Sequence, residues 1–211
     1  MSQSVTAVPA RFLAIGDSYT IGEGVAVGSR WPDQLVARLH EAGVAIEAAE
    51  VLATTGWTTD ELLEGIEAAR PTPPYAVVSL LIGVNNQYRG RSPENYREEF
   101  AALLDRAVGL AEGEVRRVIV LSIPDWGVTP FAAARGVDPV AVASAIDRFN
   151  AINRELAGTR GAHWIDVTAM SRENGRLLLV EDGLHPSARH YAMWVDRVLP
   201  VASAILAARA N

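Results

Sequence analysis

Cysteine is absent from this 211-residue chain, which excludes disulfides, thiol chemistry and cysteine-based metal sites. Basic charge is in short supply as well: 19 Lys and Arg against 25 Asp and Glu leave a formal charge of −6. Nucleic acid is bound through basic faces, so it is not expected as a partner. No stretch approaches the roughly 18 continuous apolar residues that span a bilayer, and no integral membrane association is expected. The longest run, Tyr75 to Ile82, has the length of a strand and leads into Asn85, Asn86 and Gln87. The opening MSQSVTAVPARFLAIG lacks a basic n-region and has too short an apolar run for a signal peptide, so a cytoplasmic location is expected. The four histidines show no ligand spacing, which leaves neither a metal nor a cofactor to expect. Repeats, low-complexity tracts and Gly/Ser-rich linkers are missing too. One domain over residues 1–211 is the reading, with 1–10 as a loose extension.

What the chain does have is 49% apolar residues, enough for a full hydrophobic core at this length. Strand-length apolar runs alternate with stretches of helical period. The strand candidates are Arg11–Ile15, Ala45–Leu52, Tyr75–Ile82, Arg117–Ser122 and His163–Val167. The third is apolar without alternation, as in a strand covered on both faces of a parallel sheet. Helix starts are marked by Thr58 with Glu61, by Ser92 before Pro93, and by Asp138 before Pro139. Tyr96, Phe100, Leu103, Leu104 and Ala107 form one apolar stripe; Val142, Ile146, Phe149 and Leu156 form another. Trp31–Leu39 and Tyr191–Leu206 complete the helices, the last one kinked or restarted at Pro200. Strand and helix alternating about five times imply a parallel sheet with helices on both faces. Function then belongs beyond the carboxyl ends of the strands.

Strand one runs straight into Gly16-Asp17-Ser18-Tyr19-Thr20. A serine at a strand-to-helix turn can expose its Oγ at the top of the sheet, but it needs a general base to become a nucleophile. Near the far end, Glu181-Asp182-Gly183-Leu184-His185-Pro186 offers an imidazole with an aspartate three residues before it. Such an aspartate can orient the ring and stabilise the imidazolium. Donors for a developing oxyanion are available at Gly56, through its backbone N–H, and in Gly83-Val84-Asn85-Asn86, through an amide. Taken singly, Ser18 is equally a helix cap, Asp182 a turn residue and His185 a solvated loop residue. The joint occurrence of these motifs with Gly56 and Gly83-Val84-Asn85, in order, at four strand ends outweighs those readings.

In this arrangement the chain resembles the SGNH hydrolases, also called the GDSL esterase/lipase family: GDS near the start, a lone Gly, GxN, then DxxH near the end. The resemblance implies nucleophile Ser18, base His185, orienting Asp182, and an oxyanion hole from the N–H groups of Ser18 and Gly56 with the Asn85 side chain. It also implies a three-layer α/β/α sandwich with a mainly five-stranded parallel sheet, flavodoxin-like in its winding. Where the family usually reads GxND, this chain has Asn86.

Trp57, Tyr88 and Arg89 follow the oxyanion candidates and are expected to border the cleft. Trp126 and Phe131 either form another wall or pack their loop onto the sheet. Arg89 and Arg91 either meet an anionic substrate group or form charge pairs in solvent. No segment is left over for a lid. The expected substrate is a small ester with a short acyl or acetyl group, cleaved through an acyl-enzyme. A thioesterase or lysophospholipase is the alternative on the same machinery. A nucleotide- or ligand-binding module without catalysis is the rival of another class, suggested only by Gly22, Gly24 and Gly28, whose spacing does not fit the dinucleotide fingerprint.

Overall fold

The computed structural model describes residues 8–174 and 177–209, so most of the expected N-terminal extension lies outside the described residues. Five strands form one parallel sheet: β1 (Phe12–Gly16), β2 (Glu50–Ala53), β3 (Val77–Leu81), β4 (Val118–Leu121) and β5 (His163–Ile165). Their spatial order is β2-β1-β3-β4-β5. The central strands β1, β3 and β4 are buried along their whole length, whereas the edge strands β2 and β5 are partly exposed.

Nine helices are described: α1 (Ser18–Ile21), α2 (Trp31–Glu41), α3 (Thr59–Ala69), α4 (Val84–Tyr88), α5 (Pro93–Leu110), α6 (Pro130–Ala134), α7 (Pro139–Arg160), α8 (Thr168–Asn174) and α9 (Ala188–Arg209). Helix α2 packs with α9, and α5 packs with α3 and α7. The result is a sheet flanked by helices, an α/β/α sandwich. Caps set the helix starts. Ser92 Oγ accepts from Asn95 N–H at 3.1 Å and Asp138 Oδ1 from Val140 N–H at 2.9 Å, each ahead of a proline in the first turn. Thr58 and Glu61 make the expected reciprocal capping box. Both apolar stripes face inward, with Tyr96, Phe100, Leu103, Leu104 and Ala107 all buried.

Two expectations change. The run Ala45–Leu52 is not one strand: Ile46 makes an isolated bridge to Ala10, and only Glu50–Ala53 pairs with β1. Helix α9 does not restart at Pro200 but runs through it as one element. Of the described helices, α9 alone is long and apolar enough to cross a membrane by length and composition. Here it buries Tyr191, Trp194, Val195 and Val198 in the core.

The strand order places the winding reversal between β1 and β3, since the chain goes from β1 out to β2 and returns to β3 on the other side. Ligands of open α/β sheets bind at such a switch point, beyond the strand ends. Gly16, the last residue of β1, pairs with Ala53 of β2 and Leu81 of β3. The three loops that follow therefore open side by side. A side chain at Gly16 would run into the Leu81 carbonyl and the Thr20 hydroxyl. Glycine is what lets β1 turn directly into α1.

Candidate active site

Asp17 builds the turn that presents Ser18. Its Oδ1 accepts from Tyr19 N–H at 3.0 Å, and its carbonyl accepts from Thr20 and Ile21 N–H, both at 3.0 Å. Gly22, at φ 76°, closes α1 after a single turn. Ser18 thus sits at the first helical position, where a backbone N–H has no intrahelical acceptor. Of the glycines that suggested a nucleotide loop, Gly22 ends this helix and Gly24 and Gly28 lie beyond it, so none opens it.

The Asp17 carboxyl is fully buried, and its Oδ2 has no hydrogen-bond partner. Burial pushes its pKa from 3.8 up to about 7, against the lowering pull of the Tyr19 N–H bond. The folded state therefore holds this proton more tightly than the unfolded chain does. The associated stability is complete below about pH 4 and is lost as pH rises through about 7. Asp17→Asn keeps an acceptor for Tyr19 N–H and removes the titration. Denaturant unfolding at pH 4 and pH 8 is expected to show wild type losing stability relative to Asp17→Asn as pH rises, on the order of a few kcal/mol. A stability difference flat in pH would refute the raised carboxyl.

Asp182 and His185 lie at the tip of a hairpin-like loop closed by a bridge between Leu179 and Pro186 and by Val180 N–H to His185 O at 2.9 Å. Asp182 Oδ1 accepts from the backbone N–H groups of Leu184 and His185, at 2.8 and 2.9 Å. Its Oδ2 stands 2.6 Å from His185 Nδ1. Partial burial raises the Asp182 carboxyl, but the bonds from the His185 ring and the two N–H groups outweigh it and hold the pKa below the usual range. Asp182 is thus an anion that accepts Nδ1–H and frees Nε2 to act as a base. His185 is buried, with its ring edge-to-face against Tyr19 at 5.7 Å between centroids. Ser18 and His185 line the same cleft, and no direct hydrogen bond joins them. Catalytic contacts are often long before substrate binds.

The opposite bank comes from the loops after β2 and β3. Gly56 has φ 88°, in the left-handed region where a side chain is strained. Two neighbouring carbonyls of this loop are held from α4 and its end. Gly56 O accepts from Arg89 Nη2 at 2.6 Å, and Trp57 O accepts from Asn85 Nδ2 at 2.9 Å. Among the described residues, the N–H groups of Ser18 and Gly56 meet no acceptor. Asn85 keeps a second amide N–H beyond the one given to Trp57. Three donors therefore border the cleft with capacity to spare. Asn86 points elsewhere: it is fully buried, accepts from Thr59 N–H at 3.1 Å and donates to Thr59 Oγ1 at 2.6 Å.

The cleft has a volume of about 170 Å³. Tyr88, Trp126 and Phe131 make one wall, their rings edge-to-face at 5.2 Å for Tyr88–Trp126 and 6.3 Å for Trp126–Phe131. Trp126 and Phe131 line the cleft and also pack against the hydrophobic core. Trp57 and Arg89 do not line it. The Trp57 ring lies on Gly65 of α3, where any side chain would collide with it. Arg89 braces Gly56 while paired with Glu61 at 3.0 Å. Arg91 is bound to Asp60 at 2.6 Å. Sequence reasoning missed Tyr19, Thr55, Val84 and Leu184, which also line the cleft. Each stands next to a motif residue, so adjacency along the chain was the available signal.

A serine hydroxyl at a helix start, an oriented imidazole and a set of free donors beside an apolar pocket are the kinds of group acyl transfer uses. A protein-family model described as the GDSL-like Lipase/Acylhydrolase family matches residues 14–193. Among solved structures, the fold is similar to TesA, with 19% identity, a TM-score of 0.73 and coverage of 92% of this chain and 99% of that one. It is also similar to an acetyl xylan esterase from Geobacillus stearothermophilus (18% identity, TM-score 0.68, coverage 92% and 96%). A third likeness is to AlinE4, an SGNH-hydrolase family esterase (21% identity, TM-score 0.64, coverage 95% and 97%). At these identities the structural likeness speaks for the fold. Comparison with curated protein sequences gives no match.

Proposed function

The chain belongs to the GDSL-like lipase/acylhydrolase family and is a carboxylic ester hydrolase, and from that premise we propose that it cleaves short acyl or acetyl esters through an acyl-enzyme on Ser18. The observation that carries this reading is the hydrogen bond of Asp182 with His185, whose ring lines the same cleft as Ser18. His185 Nε2 takes the Ser18 Oγ proton as Oγ attacks the ester carbonyl carbon. The oxygen that becomes negative is met by the N–H groups of Ser18 and Gly56 and by Asn85 Nδ2, in a pocket where part of the water is excluded. Imidazolium then gives the proton to the departing alkoxide, and the alcohol leaves. Water, deprotonated by the same imidazole, attacks the acyl-enzyme and restores Ser18.

The cleft volume supports a short acyl group. The cleft measures about 170 Å³ and is walled on one side by Tyr88, Trp126 and Phe131. Apolar rings reward the first methylenes by about 0.8 kcal/mol each, and chains longer than the pocket gain no further wall. With a p-nitrophenyl ester series, kcat/KM is expected to be highest between acetyl and butyryl and to fall beyond. Preference for chains of about eight carbons or more would contradict the short-acyl reading. Acyl-thioesters and acetylated sugars in the same panel separate esterase from thioesterase action.

A further inference from the structure

The aromatic wall is held from outside the cleft. Trp126 follows Asp125, whose side chain is completely buried and paired with Arg172. One carboxylate oxygen of Asp125 accepts from Gly127 N–H at 2.9 Å, which fixes the turn that carries Trp126. The other accepts from Arg172 Nε at 2.8 Å. Arg172 lies on α8 and is itself held by Asp147 of α7, at 2.7 Å from Nη2. The Asp125 backbone N–H donates to Ser171 Oγ at 2.8 Å, so the same loop is tied to α8 twice.

Two further bonds connect this wall to the reacting groups. Trp126 Nε1 donates to Gln87 Oε1 of α4 at 2.7 Å, on the helix that carries Asn85. Phe131 N–H donates to Gly183 O at 3.0 Å, between Asp182 and His185. The wall is therefore registered against the donors at one end and the imidazole at the other. Its third attachment, the one through Asp125, touches neither. A buried carboxylate with a guanidinium partner is an expensive way to hold a loop unless geometry matters, because removing the partner strands a charge.

We propose that Arg172, acting through Asp125, is a positioning residue that sets the acyl-length limit of this enzyme by fixing the distance of the Trp126–Phe131 wall from Ser18. The proposal rests on the esterase reading above. Among the described residues, the hydrogen bonds of Arg172 go to Asp125, Asp147 and the Ala143 carbonyl, none of which lines the cleft. Loosening it gives the turn at 125–127 and the Trp126 ring room to shift within the limits set by the Gln87 and Gly183 bonds, while Ser18, His185, Gly56 and Asn85 keep their own supports. The substrate class then changes at the acyl end, toward longer and bulkier acids, with the alcohol end unaffected.

The experiment compares kcat/KM for p-nitrophenyl acetate, butyrate, hexanoate and octanoate in wild type, Arg172→Met, Arg172→Lys and the double variant Asp125→Asn with Arg172→Met. The double variant leaves no unpaired buried charge and stands in if the single variant fails to fold. The octanoate-to-acetate ratio is expected to rise about tenfold in Arg172→Met and in the double variant, with acetate turnover within about twofold of wild type. Arg172→Lys is expected to restore most of the limit. A purely structural role lowers the amount of active enzyme and scales every ester equally, leaving the ratio unchanged. An unchanged ratio in the folded double variant overturns the proposal. Failure of the underlying reading looks different: wild type itself would show no acyl-length limit, or no labelling of Ser18 by a fluorophosphonate.

Discussion

Ser18→Ala is expected to lower kcat by about 10⁶-fold, down to the rate that binding and the oxyanion donors support alone. The size of the loss follows from the chemistry. Without Oγ there is no acyl-enzyme, and the oriented His185 has no hydroxyl to deprotonate. The fold is expected to survive, because the Ser18 side chain takes no part in the network of Asp17, Tyr19 and Gly22 that shapes the turn. Circular dichroism and a thermal melt of the variant, beside an assay with p-nitrophenyl acetate, check both halves. An alanine variant that retains hydrolysis would remove Ser18 from the mechanism.

Asn85 and Asn86 are expected to fail in different ways. Asn85→Ala removes a donor from the place where negative charge grows, which typically costs about 2.7–4 kcal/mol, or 10²–10³ in kcat, with KM nearly unchanged. Asn86→Ala instead leaves Thr59 N–H buried without its acceptor, at a cost of about 1–3 kcal/mol in stability. Its kcat is expected to drop only as far as the turn after β3 loosens. Steady-state kinetics and denaturant melts on both variants separate the two roles. A deep kcat defect in Asn86→Ala with an active Asn85→Ala would shift the oxyanion assignment by one residue. The structure also explains why an amide stands where the family usually has an aspartate. Asn86 Nδ2 lies 3.5 Å from Glu99 Oε2, so a carboxylate at position 86 would face another one in a buried setting.

The sheet's centre was legible in the sequence because β1, β3 and β4 are covered on both faces and read as continuous apolar runs. The edge was less so. The apolar character of Ala45–Leu52 is shared between a single bridge at Ile46 and the short β2, and an edge strand has a neighbour on one side only. Helices α1, α4, α6 and α8 have between four and seven residues, too few to show a period. They are set by local turns such as the one at Gly22 and by caps such as Thr129, whose hydroxyl accepts from Ala132 N–H.

At the site, the proposed roles of Ser18, Asp182 and His185 could be read from local motifs: a strand end, a capped turn, a carboxylate three residues from an imidazole. The walls depend on long-range placement. Trp57 follows an oxyanion candidate in sequence but turns away onto Gly65, while Trp126, distant in sequence, is brought in by Gln87 and Asp125. Arg89 forms the charge pair that was one of its two readings, with Glu61, and its guanidinium also holds Gly56 O, a contact with no signal in the spacing. No spacing rule encodes those outcomes.

Peptide mapping by mass spectrometry after treatment with a fluorophosphonate tests the central claim most directly, since only an activated serine reacts quickly. One adduct per chain, on Ser18, is expected, with hydrolysis lost in proportion to labelling and with labelling slowed in His185→Ala. Modification of a different serine, or hydrolysis that continues after Ser18 is fully modified, would contradict it.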